Sequence, residues 1–165
     1  MPKSKTDKRP LRATSSPEAQ IKGFLSKYLV QVAAEARTSR KKMRALLPGS
    51  VEMIYDNYNA LVFGYSPTEW PSDAIFSLAI MPRWVTLCFL QGKGLPDPHK
   101  LLRGSGNVVR NVRLGSAADL EKPAIRALLK HALDRAKVPM PGNGRVRTVI
   151  RSISAKQRPR RPMGE

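Results

Sequence analysis

The fold is decided by residues 51–90, which read VEMIYDNYNA LVFGYSPTEW PSDAIFSLAI MPRWVTLCFL. This stretch contains short runs rich in β-branched and aromatic residues, the residue types that favour strands. The runs are 51–55, 60–65, 74–81 and 84–90. Segments 56–57 and 81–83 separate neighbouring runs with residues typical of turns, so we expect adjacent strands to be antiparallel. The pattern predicts the centre of an antiparallel sheet.

Helical periodicity precedes this sheet. Ser16 and Pro17 form a typical helix start, and apolar residues then recur every three or four positions from Ile21 onwards. The pattern ends at Pro48-Gly49. It predicts either one long helix or two helices with a break between residues 28 and 39.

The chain beyond residue 90 predicts a further strand, a helix and a last strand. A loop over 91–106 carries four glycines and two prolines. Alternating apolar residues follow at 107–114, helical spacing at 123–136 and a strand pattern at 146–153. Together the segments predict an α+β fold, an antiparallel sheet of about five to six strands with N-terminal helices and a C-terminal helix packed on it.

Positive charge is concentrated at three places along the chain. The 165 residues carry 30 Lys and Arg against 12 Asp and Glu, a net charge of +18. Segments 1–16, 37–44 and 145–165 hold 17 basic and two acidic residues, which is +15 of that total. We therefore expect a basic, disordered tail over 1–16, one folded domain over 17–153 and a basic, proline-containing tail over 154–165. Such segments point to polyanionic partners.

Cations on one helix face and in the last segment form the first candidate site. Spacings of three, one and three put four of them on one side of a helix, where they can contact phosphates. The candidate polyanion-binding residues are Arg37, Arg40, Lys41, Lys42, Arg44, Arg158, Arg160 and Arg161. The sequence has no motif for reading bases, so the predicted contact with nucleic acid or an acidic protein is mostly electrostatic.

A polar and aromatic cluster at the end of the first strand is the alternative site. Residues 55–59 can line a pocket or form a hairpin turn, which Asp and Asn also favour. In the long loop, Asp97 and His99 place a carboxylate and an imidazole two residues apart. The candidate ligand-binding residues are Tyr55, Asp56, Tyr58, Asn59, Tyr65, Asp97 and His99. This alternative predicts a domain that handles a small ligand or a metal such as iron.

The remaining features narrow the classes of function. Cys88 is the only cysteine, which excludes an intramolecular disulfide framework and a cysteine-based metal site. The sequence shows no adjacent nucleophile and base, so it favours a non-enzymatic binding protein without a cofactor. No apolar run approaches the about 20 residues of a membrane span, so we expect a cytoplasmic protein without a membrane partner.

The middle of the chain is similar to a known family. The segments that carry the likeness are VEMIYDNYNALV at 51–62, GYSPTE at 64–69, SDAIFSLA at 72–79, WVTL at 84–87, LPDP at 95–98 and GSGN at 104–107. They resemble the bacterial YdhG-like family over about residues 18–137. The resemblance implies an α+β domain with helices on an antiparallel sheet. Most of that family has no assigned function, and one branch is described as a frataxin-like iron chaperone.

Overall fold

A pair of helices precedes the sheet. In the computed structural model, which describes residues 15–163, α1 spans Pro17–Leu25 and α2 spans Val30–Leu46. The hydroxyl of Ser16 caps α1 by accepting a hydrogen bond from the backbone N–H three residues on, at 3.1 Å. The chain therefore forms two helices, and the break at 26–29 begins two residues before the predicted interval.

Six strands follow, and each overlaps a predicted run. Their ends agree within one residue except for the starts of the third and fifth strands, which lie two and three residues inside their runs. They are β1 (Val51–Asp56), β2 (Leu61–Ser66), β3 (Phe76–Ile80), β4 (Val85–Phe89), β5 (Arg110–Leu114) and β6 (Arg147–Ile153). The third helix, α3 (Pro123–Asp134), lies between the last two strands. These elements confirm the predicted α+β class with its N-terminal helices and C-terminal helix.

The sheet is mixed, with the order β5-β4-β3-β2-β1-β6. The first five strands pair with antiparallel neighbours, but β6 lies parallel to β1 at the edge of the sheet. The chain reaches β6 only after crossing over through α3, and a crossover of that length permits parallel pairing. This strand is the one departure from the expected antiparallel arrangement among the described residues.

All three helices pack on one face of the sheet. Strand alternation puts one set of large apolar side chains on this face, and helix residues meet them in a single hydrophobic cluster. The fully buried strand members include Ile54, Leu61, Phe63, Phe76, Leu78 and Leu87. We call the opposite side, on which no helix of residues 15–163 packs, the open face. Within the same residues, no helix has the length and apolar character needed to cross a membrane.

The segment after β6 packs on the domain. The Ser154 N–H donates to the Asp56 carbonyl oxygen at 2.9 Å, and the Arg158 N–H donates to the Tyr58 carbonyl oxygen at 2.8 Å. The Arg160 side chain is buried. The packed part of the chain therefore continues past residue 153, where the sequence predicted a tail to begin. Most of the predicted N-terminal tail lies outside the described residues.

Candidate polyanion-binding groove

A groove of about 700 Å³ lies between α1 and α2. Ile21 and Leu25 are buried at its base. Charged residues surround them, and these are Glu18 and Lys22 of α1 with Arg37, Arg40, Lys41 and Arg44 of α2. The predicted cationic face is thus one wall of a concave surface.

Helical spacing explains why α2 presents this wall. Val32, Ala36 and Met43 are buried against the sheet, so positions between them turn away from the core. The only acidic residue of α2 is Glu35. Its carboxylate accepts a hydrogen bond from the Ala117 N–H at 2.6 Å, away from the groove. The groove wall formed by α2 therefore carries positive charge alone.

A buried carboxylate beneath the groove holds two of its arginines. Glu52 of β1 is fully buried and accepts five hydrogen bonds. Arg40 donates to both carboxylate oxygens at 2.9 Å, and Arg44 donates from Nη1 at 2.6 Å. The hydroxyls of Tyr65 and Thr148 donate at 2.9 and 2.8 Å. Such saturation is what makes a buried charge tolerable.

Arg40 is shared between two carboxylates. Its two terminal nitrogens also donate to the Glu18 carboxylate at 2.8 and 2.7 Å. Burial acts to lower the pKa of Arg40, but the hydrogen bonds that it donates to Glu18 and Glu52 outweigh burial and raise the pKa above its usual range. The same contact holds the pKa of Glu18 below its usual value. Arg40 therefore links Glu18 of α1 to Glu52 of β1 and has few donors left for a ligand.

Three cations of the groove are uncommitted. Within residues 15–163, Lys22, Arg37 and Lys41 are exposed and make no ion pair or side-chain hydrogen bond. Arg44 is partly committed, because only its Nη1 donates to protein atoms. Five cations line the groove. Set against Glu18, which also lines it, and the buried Glu52, which holds two of the cations, they leave a net charge of +3. The predicted residue Lys42 is outside the groove and pairs with Glu121 at 2.5 Å.

A second buried carboxylate lies at the other end of β1. Asp56 is 1 % exposed, and its Oδ2 accepts from Lys27 Nζ at 2.8 Å. Its Oδ1 accepts from Arg160 Nη2 at 2.9 Å. Gln157 donates to the Asp56 carbonyl oxygen at 3.0 Å. Asp56, a candidate ligand residue, and Arg160, a candidate phosphate contact, therefore neutralise each other.

The Arg160 guanidinium has further partners on the turn between β1 and β2. It donates to the carbonyl oxygens of Asn57 and Tyr58 at 2.6 and 3.3 Å. Its central carbon lies 5.9 Å from the centre of the Tyr28 ring, a cation–π contact. The Tyr28 hydroxyl in turn bonds the backbones of β3 and β2, donating to the Ile80 carbonyl at 2.7 Å. The Arg160 side chain thus holds the segment after β6 against the core.

The other predicted residues are dispersed. Tyr65 belongs to the Glu52 cluster, whereas Tyr58 and Asn59 are exposed on the β1–β2 turn. Arg158 and Arg161 are also exposed, with single side-chain contacts to Asn59 at 3.5 Å and to the Lys27 carbonyl at 3.2 Å. Tyr55 lies on the open face. The structure therefore does not gather the predicted ligand set into one pocket.

Asp97 stabilises a turn within the long loop. Both carboxylate oxygens accept backbone N–H groups, from Leu101 and Leu102, at 2.9 Å. His99 and His131 border a hollow of about 190 Å³ between this loop and α3. Over residues 15–163, no three His, Cys, Asp or Glu side chains are grouped so that they could hold a metal ion.

Comparisons with known proteins found no match, so the functional proposal depends on the geometry of the site. No protein-family model matches the chain. No curated protein matches it, and no solved structure does. Kinship with the YdhG-like family stays a prediction from the sequence segments quoted above.

Asp56 gives the fold a defined sensitivity to acid. Burial acts to raise the pKa of Asp56, but hydrogen bonds from Lys27 and Arg160 outweigh it and lower the pKa below its usual value. Such a carboxyl stabilises the fold above its unfolded pKa, about 3.9, and the contribution is lost as pH falls through the folded value. We expect wild type to exceed Asp56→Asn in stability at neutral pH, with the difference shrinking below about pH 4. Urea midpoints across that range check this, and a constant difference contradicts it.

Proposed function

We propose that the protein binds a polyanion, most directly the phosphate backbone of a nucleic acid, in the groove between α1 and α2. The observation that carries the proposal is the set of three exposed, uncommitted cations, Lys22, Arg37 and Lys41, on a groove with a net charge of +3. An exposed helix surface ordinarily mixes both signs of charge. A concave surface with an excess of positive charge attracts anions and holds them at short range.

The buried Glu52 supports this function by ordering one wall of the groove. It fixes the Nη1 of Arg44 and leaves the remaining nitrogens of that guanidinium available. Arg44 is about one-third exposed, at 32 %. A pre-positioned guanidinium loses less side-chain entropy when it meets a phosphate than a free one does. Arg40 and Glu18 also line the groove, where they pair with each other.

The described residues that line the groove supply cations without a motif for sequence readout, so the proposed binding is electrostatic and weakly specific. Each phosphate neutralised by Lys or Arg releases counterions, and affinity therefore falls steeply with salt. Three groove contacts correspond to a slope of about −2 to −3 in a plot of log K against log salt. An acidic protein is the other polyanion that such a surface fits.

The test replaces the three uncommitted cations together. We expect Lys22→Gln/Arg37→Gln/Lys41→Gln to weaken binding of labelled DNA and RNA by at least about tenfold at 0.1 M salt, and to reduce the salt slope by about 2 to 3. The variant should fold normally, because none of the three side chains contacts another charged group among residues 15–163. Fluorescence anisotropy across a salt series measures both quantities.

A matched control separates the groove from net charge. Lys93→Gln/Lys100→Gln/Lys137→Gln removes the same three charges from exposed positions that do not line the groove. We expect this control to keep most of the affinity. Equal losses in the two triple variants would show that binding follows overall charge and would overturn the groove proposal. No binding of nucleic acid by wild type would leave an acidic protein as the partner to test.

A further inference from the structure

The two faces of the sheet differ sharply in charge. The only acidic residues in the six strands are Glu52 and Asp56, and alternation places both on the helix-covered face with Ile54. The open face has no strand carboxylate. It carries Arg113 of β5 and Arg147 of β6, and the exposed Arg151 lies at the β6 bulge. Arg147 pairs with Glu69 at 2.5 Å, which leaves the face with a positive charge.

Tyr55 lies across the open face. A Cβ built on Gly64, in the neighbouring strand, would stand 3.7 Å from Tyr55 Cε1, an ordinary van der Waals contact, so the ring lies next to this glycine. The Tyr55 hydroxyl lies 3.5 Å from the sulfur of Met53, two residues back in the same strand. The ring is partly exposed. It therefore offers one aromatic surface to solvent from a fixed position.

A second flat group lies at the other end of the same face. The guanidinium carbon of Arg113 is 3.7 Å from the centre of the Trp84 ring, a close stack. The indole N–H donates to the Thr86 hydroxyl at 3.1 Å, which fixes the ring on the strand surface. Strand register links the two platforms through Thr86, Ala79 and Val62, so only small or short side chains lie between them.

The edge strand β6 joins this face to the groove. Thr148 on the helix-covered side accepts a hydrogen bond from Arg44, which lines the groove, at 2.9 Å. Its neighbours Arg147 and Val149 lie on the open face, because they pair in register with Val51 and Met53. Cations therefore continue from the groove around the sheet edge.

We propose that the open face binds the bases of a single-stranded nucleic acid, with Tyr55 and the Arg113–Trp84 pair as stacking platforms. The inference rests on the proposed function, since it assigns the polyanion of the groove to single strands. Single-stranded nucleic acids are bound by sheets or grooves that combine cations with aromatic or guanidinium planes, because unpaired bases have free faces to stack. A duplex hides those faces, so it can use only the cations.

The experiment compares probes of one length on the full chain by fluorescence anisotropy. The probes are a 12-nucleotide oligo-U RNA, a 12-nucleotide oligo-dT DNA and a 12-base-pair DNA duplex. We expect Tyr55→Leu to weaken single-strand binding by about tenfold, as loss of one stacked base does, with duplex binding and the salt slope unchanged. Tyr55→Phe keeps the ring and should keep the affinity. Tyr58→Leu makes the same chemical change on the exposed turn and should bind like wild type.

The outcomes separate this inference from the groove proposal. Single-strand affinity that Tyr55→Leu leaves unchanged, while the triple groove variant loses affinity, overturns the open-face site and keeps the groove. Equal losses of single-strand and duplex binding in Tyr55→Leu also overturn it. A wild-type dimer that Tyr55→Leu dissociates, measured by sedimentation, assigns the face to self-association instead. A groove variant that binds like wild type, together with a selective loss of single-strand affinity in Tyr55→Leu, overturns the groove and keeps the open-face site.

Discussion

Replacing Glu52 with glutamine is expected to lower the free energy of unfolding by about 3 to 5 kcal/mol, the usual consequence of breaking a buried ion pair from one side. The substitution keeps the side-chain volume but removes the charge that Arg40 and Arg44 share. It also turns an amide group with two N–H donors towards partners that are themselves donors. Arg40 keeps Glu18, but that carboxylate is exposed and offsets little.

Urea unfolding of the two proteins measures the effect of Glu52→Gln. Glu69→Gln is the matched control, because it removes the carboxylate of an exposed pair with Arg147 and should cost less than about 1 kcal/mol. A Glu52→Gln variant as stable as the Glu69→Gln variant contradicts the role given to the buried carboxylate. Without the carboxylate, Arg44 should also sample a wider range of conformations. We therefore expect weaker polyanion binding in any folded Glu52→Gln protein.

Replacing Arg160 with alanine is the second change with a large expected effect, again about 3 to 5 kcal/mol. It leaves Asp56 buried with Lys27 as its one cationic partner among residues 15–163. The carbonyl oxygens of Asn57 and Tyr58 lose the donors that Arg160 supplies. A buried carboxylate that loses one of its two cations and a lost packed side chain act together, since the Arg160 side chain is 3 % exposed.

Neighbouring arginines provide the control for Arg160. Arg158→Ala and Arg161→Ala remove equal charge from exposed side chains and should each change stability by less than about 1 kcal/mol. Urea unfolding ranks the three variants. Limited proteolysis adds a local readout, because cleavage after residue 154 should accelerate in Arg160→Ala alone. Three equal effects would show that the last segment contributes through its charge and not through one anchor.

The secondary structure was predictable because its signals are local. The helical spacing that begins at Ile21 and the alternation within 51–90 require only neighbouring residues, and the observed helices and strands follow them. The parallel edge strand β6 was not predictable in this way. Its pairing with β1 depends on a crossover through α3, and the sequence of 146–153 is the same for either direction.

The charged clusters were only partly predictable. Helical spacing correctly places Arg37, Arg40, Lys41 and Arg44 on one helix, and strand alternation also puts Glu52 and Asp56 on the same face as Ile54. That second signal is local and is present in the sequence. The cations that Glu52 and Asp56 bind could not be predicted, because these contacts join residues far apart in the chain. Asp56 and Arg160, for example, are 104 positions apart. Composition alone predicts a solvated tail over 154–165. The buried pair of Asp56 and Arg160 instead holds this segment against the domain.

The late position of these partners also constrains synthesis. Glu52 and Asp56 leave the ribosome long before Thr148 and Arg160, which complete their hydrogen bonds. Until those residues emerge, Glu52 lacks one of its five hydrogen bonds and Asp56 has Lys27 but not its arginine, so burying the first strand costs more than it does in the full chain. We therefore expect a nascent chain that stops before residue 160 to pack this strand less completely than the full chain does.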